Sequence, residues 1–97
     1  KSLEEIKTIL HNHMIELKRK YRVKEIAIFG SFARNEQNEV SDVDVLVEFE
    51  RPVGLKFFEL ADYLEEILGV KVDLLTEKAV KQKPKLWESI RENLIYV

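Results

Sequence analysis

The chain has 97 residues, of which 45% are apolar and 35% are charged, and its formal net charge is −2. This balance is typical of a soluble globular protein, and the near-neutral charge excludes bulk binding of nucleic acid, leaving only a local basic patch for such a partner. The lack of cysteine excludes disulfide frameworks, thiolate zinc sites and cysteine nucleophiles. The apolar runs are too short to cross a membrane, so we expect a single cytoplasmic domain over residues 1–97.

The first third of the chain predicts a helix, a strand and a short turn. Ser2 and Glu5 have the spacing of a capping box, and the apolar residues that follow recur at helical spacing, which predicts an amphipathic helix over 3–20. The β-branched run over 23–29 predicts a central strand that is covered on both faces. Gly30 ends this strand, residues 32–34 have room for one helical turn, and the polar residues 35–41 predict a loop.

The remainder predicts two more strands and two more helices. A second strand is expected over 42–50, because apolar and acidic residues alternate there. A helix over 55–68 should stop at Gly69, and a third strand should cover 70–76. A basic stretch over 78–85 then leads to a last helix, whose inward face is expected to carry Leu86, Ile90 and Leu94.

Asp42 and Asp44 project from the same face of the second predicted strand. At a strand rise of about 3.3 Å per residue their Cα atoms lie about 6–7 Å apart, so both carboxylates can hold one or two cations. Paired metals in phosphoryl-transfer sites lie about 3.5–4 Å apart, which matches this spacing. The alternative is a solvated outer face, but that alternative must also explain Leu46 on the same face.

Gly30 and Ser31 stand where the first strand gives way to a helical turn. A residue without a Cβ lets the backbone approach an anion closely, and the amides that begin the turn point outward, which favours a phosphate site. The alternative is an ordinary turn without a ligand.

Asp73 is a third carboxylate held on a strand. Three carboxylates on one face raise one another's pKa values unless a cation offsets the repulsion. Magnesium suits such a set, because it prefers hard oxygen ligands and shares its coordination shell with substrate phosphates. The alternative is a surface position on an edge strand, since only the topology decides whether Asp73 lies near Asp42.

Three segments together resemble a known family: GSFAR at 30–34, SDVD at 41–44 and VD at 72–73. This pattern is similar to the signature of the DNA polymerase β-type nucleotidyltransferase superfamily. The resemblance is greatest to its minimal branch, the MNT domains that are antitoxin partners of HEPN toxins. It covers nearly the whole chain and implies an α/β fold, with a small mixed β-sheet packed by helices in a polymerase β palm-like arrangement and the site on one open face.

The resemblance also implies roles for the nucleotide-binding residues. Gly30 and Ser31 would hold the triphosphate of ATP, and Arg34 would lie near the phosphates or brace the loop. The family usually has glycine after this arginine, whereas this chain has Asn35. Asparagine is the next most tolerant residue of left-handed backbone geometry, so we expect the turn to survive the change.

The activity implied by the resemblance is magnesium-dependent transfer of AMP from ATP to a protein hydroxyl, a tyrosine of a HEPN toxin, by the antitoxin of the pair. Asp42, Asp44 and Asp73 would ligate magnesium, with two ions expected, and Asp73 would help to deprotonate the attacking hydroxyl. So short a chain shows no evident second domain to grip the acceptor, which favours a protein partner. Two other interpretations remain: a non-catalytic antitoxin that occupies its partner, and a nucleotide-sensing regulatory domain.

Other polar and aromatic residues are weaker candidates. His11 and His13 lie two positions apart on the predicted helix and face different directions, so we expect solvated surface instead of a metal pair. Trp87 and Tyr96 are expected to pack or to form an association surface. The lysines of 78–85 are expected to be solvated, although they could receive a triphosphate or an acidic partner.

Overall fold

The computed structural model describes residues 1–38 and 41–97. Residues 39 and 40, which belong to the predicted loop over 35–41, lie outside the described residues. In chain order the elements are α1 (Leu3–Asn12), α2 (Met14–Tyr21), β1 (Val23–Phe29), α3 (Gly30–Ala33), β2 (Val43–Phe49), α4 (Lys56–Leu68), β3 (Val72–Thr76), α5 (Glu77–Lys81), α6 (Pro84–Arg91) and β4 (Ile95–Tyr96).

Within the described residues, four strands form one mixed sheet in the order β3-β2-β1-β4. Strand β1 runs antiparallel to both β2 and β4, whereas β2 and β3 run parallel to each other. A parallel pair needs a crossover connection, and α4 provides it between β2 and β3. The predicted α/β fold, with a small mixed sheet packed by helices, is therefore confirmed.

Helices α1, α2 and α4 cover one face of the sheet. The alternating Val43, Val45 and Val47 of β2 are fully buried there, as are Leu60 and Leu64 of α4. Burying an aliphatic side chain of this size contributes about 1.5–3 kcal/mol relative to leaving it in water. This face holds the larger apolar cluster of the described residues, and it fixes which side of β2 turns inward.

The opposite face carries a smaller apolar cluster beneath α5 and α6. Ala27 of β1 and Leu46 of β2 pack there against Val80 and Ile90, and the half-buried Trp87 packs at the edge of the group. Because strand residues alternate between faces, Leu46 shares its face with the acidic residues of β2. The face that the sequence predicts to be open is thus covered in its middle by two short helices.

The predicted helix over 3–20 is in fact two helices that meet at His13. The backbone N–H of His13 donates to the carbonyls of both Ile9 and Leu10 at 3.2 Å, and its ring Nδ1 lies 2.8 Å from the Ile9 oxygen. A side chain that bonds the carbonyl one turn earlier competes with the helical ladder, which is interrupted here. The His13 ring is half-buried and meets Tyr63 edge-on, so the expectation of solvated surface is wrong for His13 and correct for the exposed His11.

The C-terminal third also differs from the prediction. Part of the basic stretch is helix α5, which begins at the N-cap Thr76, whose Oγ1 accepts from the Ala79 N–H at 3.2 Å. Leu86 is 39% exposed, and Trp87 is the residue that packs on the sheet. Helix α6 ends before Leu94, and β4 follows as a strand too short to leave a pattern in the sequence. The other predicted bounds hold to within two residues.

The predicted capping box at the start of α1 is present and can be tested. The Glu5 N–H donates to Ser2 Oγ at 3.2 Å, and the Ser2 N–H donates to Glu5 Oε1 at 3.1 Å. We expect Ser2→Ala to lower the free energy of unfolding by about 1 kcal/mol, measured by urea denaturation. Ser89→Ala, at an exposed position of α6, is the control and should change it by less than about 0.5 kcal/mol. Equal effects would contradict the capping assignment.

Candidate active site

Strand β1 ends in a tight turn built on Gly30. Gly30 directly follows Phe29, has a φ of +73° and begins the single helical turn α3. Glycine enters this left-handed region without steric cost. The Arg34 N–H donates to the Gly30 carbonyl at 3.1 Å, and the Glu36 N–H donates to the Ser31 carbonyl at 2.8 Å. The turn is therefore closed by its own backbone hydrogen bonds.

The residues after the turn adopt the expected geometry. Asn35 has a φ of +59°, which confirms that asparagine takes the left-handed conformation here. The side chain of Arg34 is exposed, and its Nε donates to Glu36 Oε1 at 2.9 Å. An exposed ion pair contributes little to stability, but this contact lies within the loop and suits the bracing role.

Asp44 lies against the glycine turn. Asp44 pairs with Phe29 across the β1–β2 ladder. Gly30 follows Phe29 in the sequence and therefore lies beside Asp44. A Cβ built on Gly30 would overlap Asp44 Oδ2 and would lie 2.9 Å from its Cγ and 3.3 Å from its Cβ. The carboxylate of Asp44 thus fills space that any other residue at position 30 would need.

Asp73 and Asp42 lie on the same face as Asp44. Asp73 is the partner of Asp44 in the parallel β2–β3 pair, and neighbouring strands are about 4.8 Å apart. Asp42 precedes Asp44 by two residues, just before β2 begins, and alternation directs it to the same side. Asp42 and Asp73 are exposed and Asp44 is half-buried. The three aspartates predicted from the sequence are therefore neighbours at one end of one face.

The charges of this group act on one another. The pKa of the Asp44 carboxyl is raised above its ordinary value of 3.8, first because of partial burial and then because of the negative charges of Asp73 and Asp42. The positive charge of Arg34 opposes this rise. The ionised form of Asp44 is thus held in an unfavourable environment, which a nearby cation would relieve.

Comparison with known proteins decides the family. Residues 11–97 match the family described as nucleotidyltransferase domain. The chain belongs to the nucleotidyltransferase domain family. The match includes all six residues that the sequence singled out, from Gly30 to Asp73.

Two relatives extend over the whole of this nucleotidyltransferase. A Methanocaldococcus jannaschii protein, provisionally named protein adenylyltransferase MJ0128, is 60% identical over 98 residues and covers 100% of this chain and 99% of its own. Protein adenylyltransferase MntA of Thermococcus cleftensis is 44% identical over 97 residues and covers 99% of this chain and 96% of its own.

Solved structures share the fold of this nucleotidyltransferase. One that is provisionally described as a minimal nucleotidyltransferase is 32% identical, superimposes with a TM-score of 0.78 and covers 98% of this chain and 95% of its own. Another, described as a toxin–antitoxin crystal structure with AMP-PNP, is 25% identical with a TM-score of 0.70 and covers 88% of this chain and 69% of its own.

A second acidic group in this nucleotidyltransferase was missed by sequence reasoning. Among the described residues, Glu25, Glu48 and Glu77 are the one set of three acidic residues in which one oxygen from each carboxylate lies within 4.8 Å of the other two, and the three aspartates do not meet this distance. The Lys81 ammonium pairs with Glu77 at 2.5 Å, so part of the charge is already compensated. The alternation of β2 predicts the face on which Glu48 lies. Glu25 lies near Glu48 because β1 pairs with β2, and Glu77 lies near it because α5 begins there, and neither contact can be read from the sequence.

A cavity in the described part of the chain lies away from the aspartates. It has a volume of about 600 Å³ and lies between the end of β2, the segment after it and the start of α5. Its walls include Val47, Phe49, Val53, Phe57, Thr76 and Lys78. Neither the glycine turn nor any of the three aspartates lines it, and the aspartates lie towards the other end of β2.

The remaining predicted candidates take structural positions. Trp87 is half-buried with the Lys81 ammonium 5.1 Å from its ring centroid, which agrees with the expectation that it packs. Tyr96 is 51% exposed at the sheet edge and is not a core residue. Lys78, Lys81, Lys83 and Lys85 are exposed, as expected for these lysines. No helix among the described residues is both long and apolar enough to span a membrane.

The raised pKa of Asp44 gives a prediction about stability and pH. The native pKa lies above the unfolded value, so between these two values the native state binds more protons and stability falls as pH rises. In the presence of EDTA, Asp44→Asn should therefore raise Tm slightly at pH 7. This advantage should shrink as pH is lowered through the native pKa and disappear below about pH 3.8.

Asp62→Asn, which removes an exposed charge from α4, is the matched control for this measurement and should show no comparable dependence on pH. A lower Tm for Asp44→Asn at pH 7, or an advantage that does not change with pH, would contradict the electrostatic account.

Proposed function

We propose that this chain is a protein adenylyltransferase, which transfers AMP from ATP to a hydroxyl of a protein partner and is the antitoxin of a toxin–antitoxin pair. The observation that carries the proposal is the direct pairing of Asp44 with Asp73 beside the Gly30 turn. Relatives of nearly the same length that are named for protein adenylyl transfer support the same activity.

The donor set fits magnesium. Asp42, Asp44 and Asp73 offer hard carboxylate oxygens on one face, and the pKa of Asp44 is raised first by partial burial and then by the charges of its two neighbours, an environment that favours a cation. When bound, two magnesium ions would offset the negative charge that develops on the entering and leaving oxygens. The proposed site consists of Gly30, Ser31, Arg34, Asp42, Asp44 and Asp73.

The glycine turn is proposed to hold the triphosphate. Gly30 presents backbone without a side chain, and Ser31 follows it at the start of α3, where the first amides have no helical partner. Because α3 is a single turn, its dipole adds little, and the amide groups themselves would make the hydrogen bonds. Arg34 lies close enough to lower the pKa of Asp44. Its guanidinium would release Glu36 and bind a phosphate oxygen of ATP instead.

The reaction proposed for this site is an in-line displacement. The acceptor oxygen attacks the α-phosphorus, the bond from that phosphorus to the bridging oxygen breaks, and pyrophosphate leaves. Asp73 takes the proton of the acceptor hydroxyl, for which its exposure suits it. Asp44, which is less exposed, would serve only as a metal ligand.

The acceptor is proposed to be a tyrosine of a HEPN-type toxin. The sequence resemblance points to that partner, and the structural neighbour described as a toxin–antitoxin complex with AMP-PNP supports pairing with a toxin and use of an ATP-like nucleotide. Asp42 and Asp73 are exposed, which allows a protein side chain to reach them.

Transfer can be tested directly. Incubating the chain with ATP, Mg²⁺ and the product of the neighbouring gene should add the mass of AMP to a tyrosine of that partner, detected by mass spectrometry. Asp73→Asn should slow the transfer by roughly 10²–10⁴-fold, because it removes the proton acceptor. Asp62→Asn, a surface change on α4, should react like the wild type.

Two outcomes of this assay would reject the proposal. If the wild type leaves the toxin unmodified and yet neutralises it as well as Asp73→Asn does, the chain acts by occupying its partner. If ATP raises Tm but no transfer follows with any toxin, it is a nucleotide-sensing domain.

Removal of the metal gives a separate prediction. ATP should raise the Tm of the wild type when Mg²⁺ or Mn²⁺ is present, since a ligand that binds only the native state stabilises it. With EDTA the shift should largely vanish, and Asp42→Asn should behave in the same way as EDTA. An ATP shift that survives both treatments would remove the metal from the proposed mechanism.

A further inference from the structure

We infer that Gly30 is a positioning residue for Asp44: the missing Cβ at position 30 sets the rotamer of the Asp44 carboxylate and thereby builds the metal site before any nucleotide binds. This role is distinct from the proposed contact between Gly30 and phosphate. It rests on the proposed function in one respect, namely that Asp44 is a metal ligand.

Strand pairing holds the backbones of positions 30 and 44 close together. Phe29 and Asp44 are partners in the antiparallel ladder, and Gly30 follows Phe29 directly. The β1–β2 pair continues from this point through Ile28, Ala27 and Ile26, which are all buried. A clash between positions 30 and 44 is therefore relieved by a side chain and not by separation of the strands.

The atoms that would clash belong to the carboxylate. A Cβ at position 30 would overlap Asp44 Oδ2 and approach Cγ to 2.9 Å, whereas it would lie 3.3 Å from the Asp44 Cβ. A carboxylate can turn about the Cα–Cβ bond at a small cost in energy. Alanine at position 30 should therefore leave the fold largely intact and turn the Asp44 carboxylate out of the position that it occupies beside the glycine turn.

The chain supplies a matched control for backbone strain. Gly54 also has a positive φ, +58° against +73° at Gly30, but a Cβ built there meets no atom within 4 Å. Gly54→Ala therefore carries the left-handed strain without the clash. Any loss of metal binding that is seen in Gly30→Ala and absent from Gly54→Ala comes from the contact with Asp44.

The test measures Mn²⁺ binding calorimetrically in the nucleotide-free protein, and Tm in parallel. Gly30→Ala and Gly54→Ala should lower Tm by similar amounts. Gly30→Ala should weaken Mn²⁺ binding by about 10–100-fold, as is usual when the support of a metal ligand is lost, while Gly54→Ala should change it less than about twofold. NMR coupling constants should report a changed χ1 for Asp44 in metal-free Gly30→Ala.

The outcomes separate this inference from the proposed function. If Asp44→Ala binds Mn²⁺ as well as the wild type, the metal-ligand assignment fails. If Asp44→Ala abolishes binding but Gly30→Ala binds like Gly54→Ala, or keeps the wild-type χ1 at Asp44, the positioning role is overturned and the metal site stands.

A variant that fails to fold would still be informative. Should Gly30→Ala be unfolded, the double variant Gly30→Ala/Asp44→Ala lacks the clashing carboxylate and should recover the Tm of Gly54→Ala/Asp44→Ala. Recovery supports the steric coupling between positions 30 and 44, and continued unfolding overturns it.

Discussion

The antiparallel pairing of β1 with β2 holds the candidate site together. Its register sets Phe29 opposite Asp44, so the turn that ends one strand meets the carboxylate near the start of the other. A shift of the register by one residue would turn Val43, Val45 and Val47 away from the larger apolar cluster, and the free energy gained by burying these side chains would be lost. The geometry of the acidic site is therefore fixed by the core on the other side of the sheet.

The outer face of β2 carries acidic residues at both ends, and their surroundings differ. Near the start of the strand, Asp44 has acidic neighbours whose charge is opposed only in part by Arg34. Near the end, Glu48 belongs to a more closely packed group with Glu25 and Glu77, and the ammonium of Lys81 forms an ion pair with Glu77. Leu46 separates the two groups. Uncompensated charge favours a cation site, which supports the proposal that the aspartates, and not the more closely packed glutamates, carry catalysis.

Several features of this site could be predicted because they depend on local pattern. Alternation along 42–50 indicates that Asp42 and Asp44 share a face with Leu46, and the structure agrees. Tolerance of left-handed geometry predicts the conformation of Asn35, whose φ is +59°. The break at His13 and the inward position of Trp87 could not be predicted, because both depend on side-chain contacts that form only after packing.

The sequence by itself determined most of the helices and strands, the acidic face of β2 and each of the three segments of the family signature, since each of these is encoded in residues near one another along the chain. Only the tertiary structure decided that Asp73 pairs with Asp44, because the neighbours of a strand depend on how α4 crosses the sheet. It likewise decided that Gly30 touches the Asp44 carboxylate. That contact joins residues fourteen positions apart, and it forms only when β1 and β2 pair in the observed register.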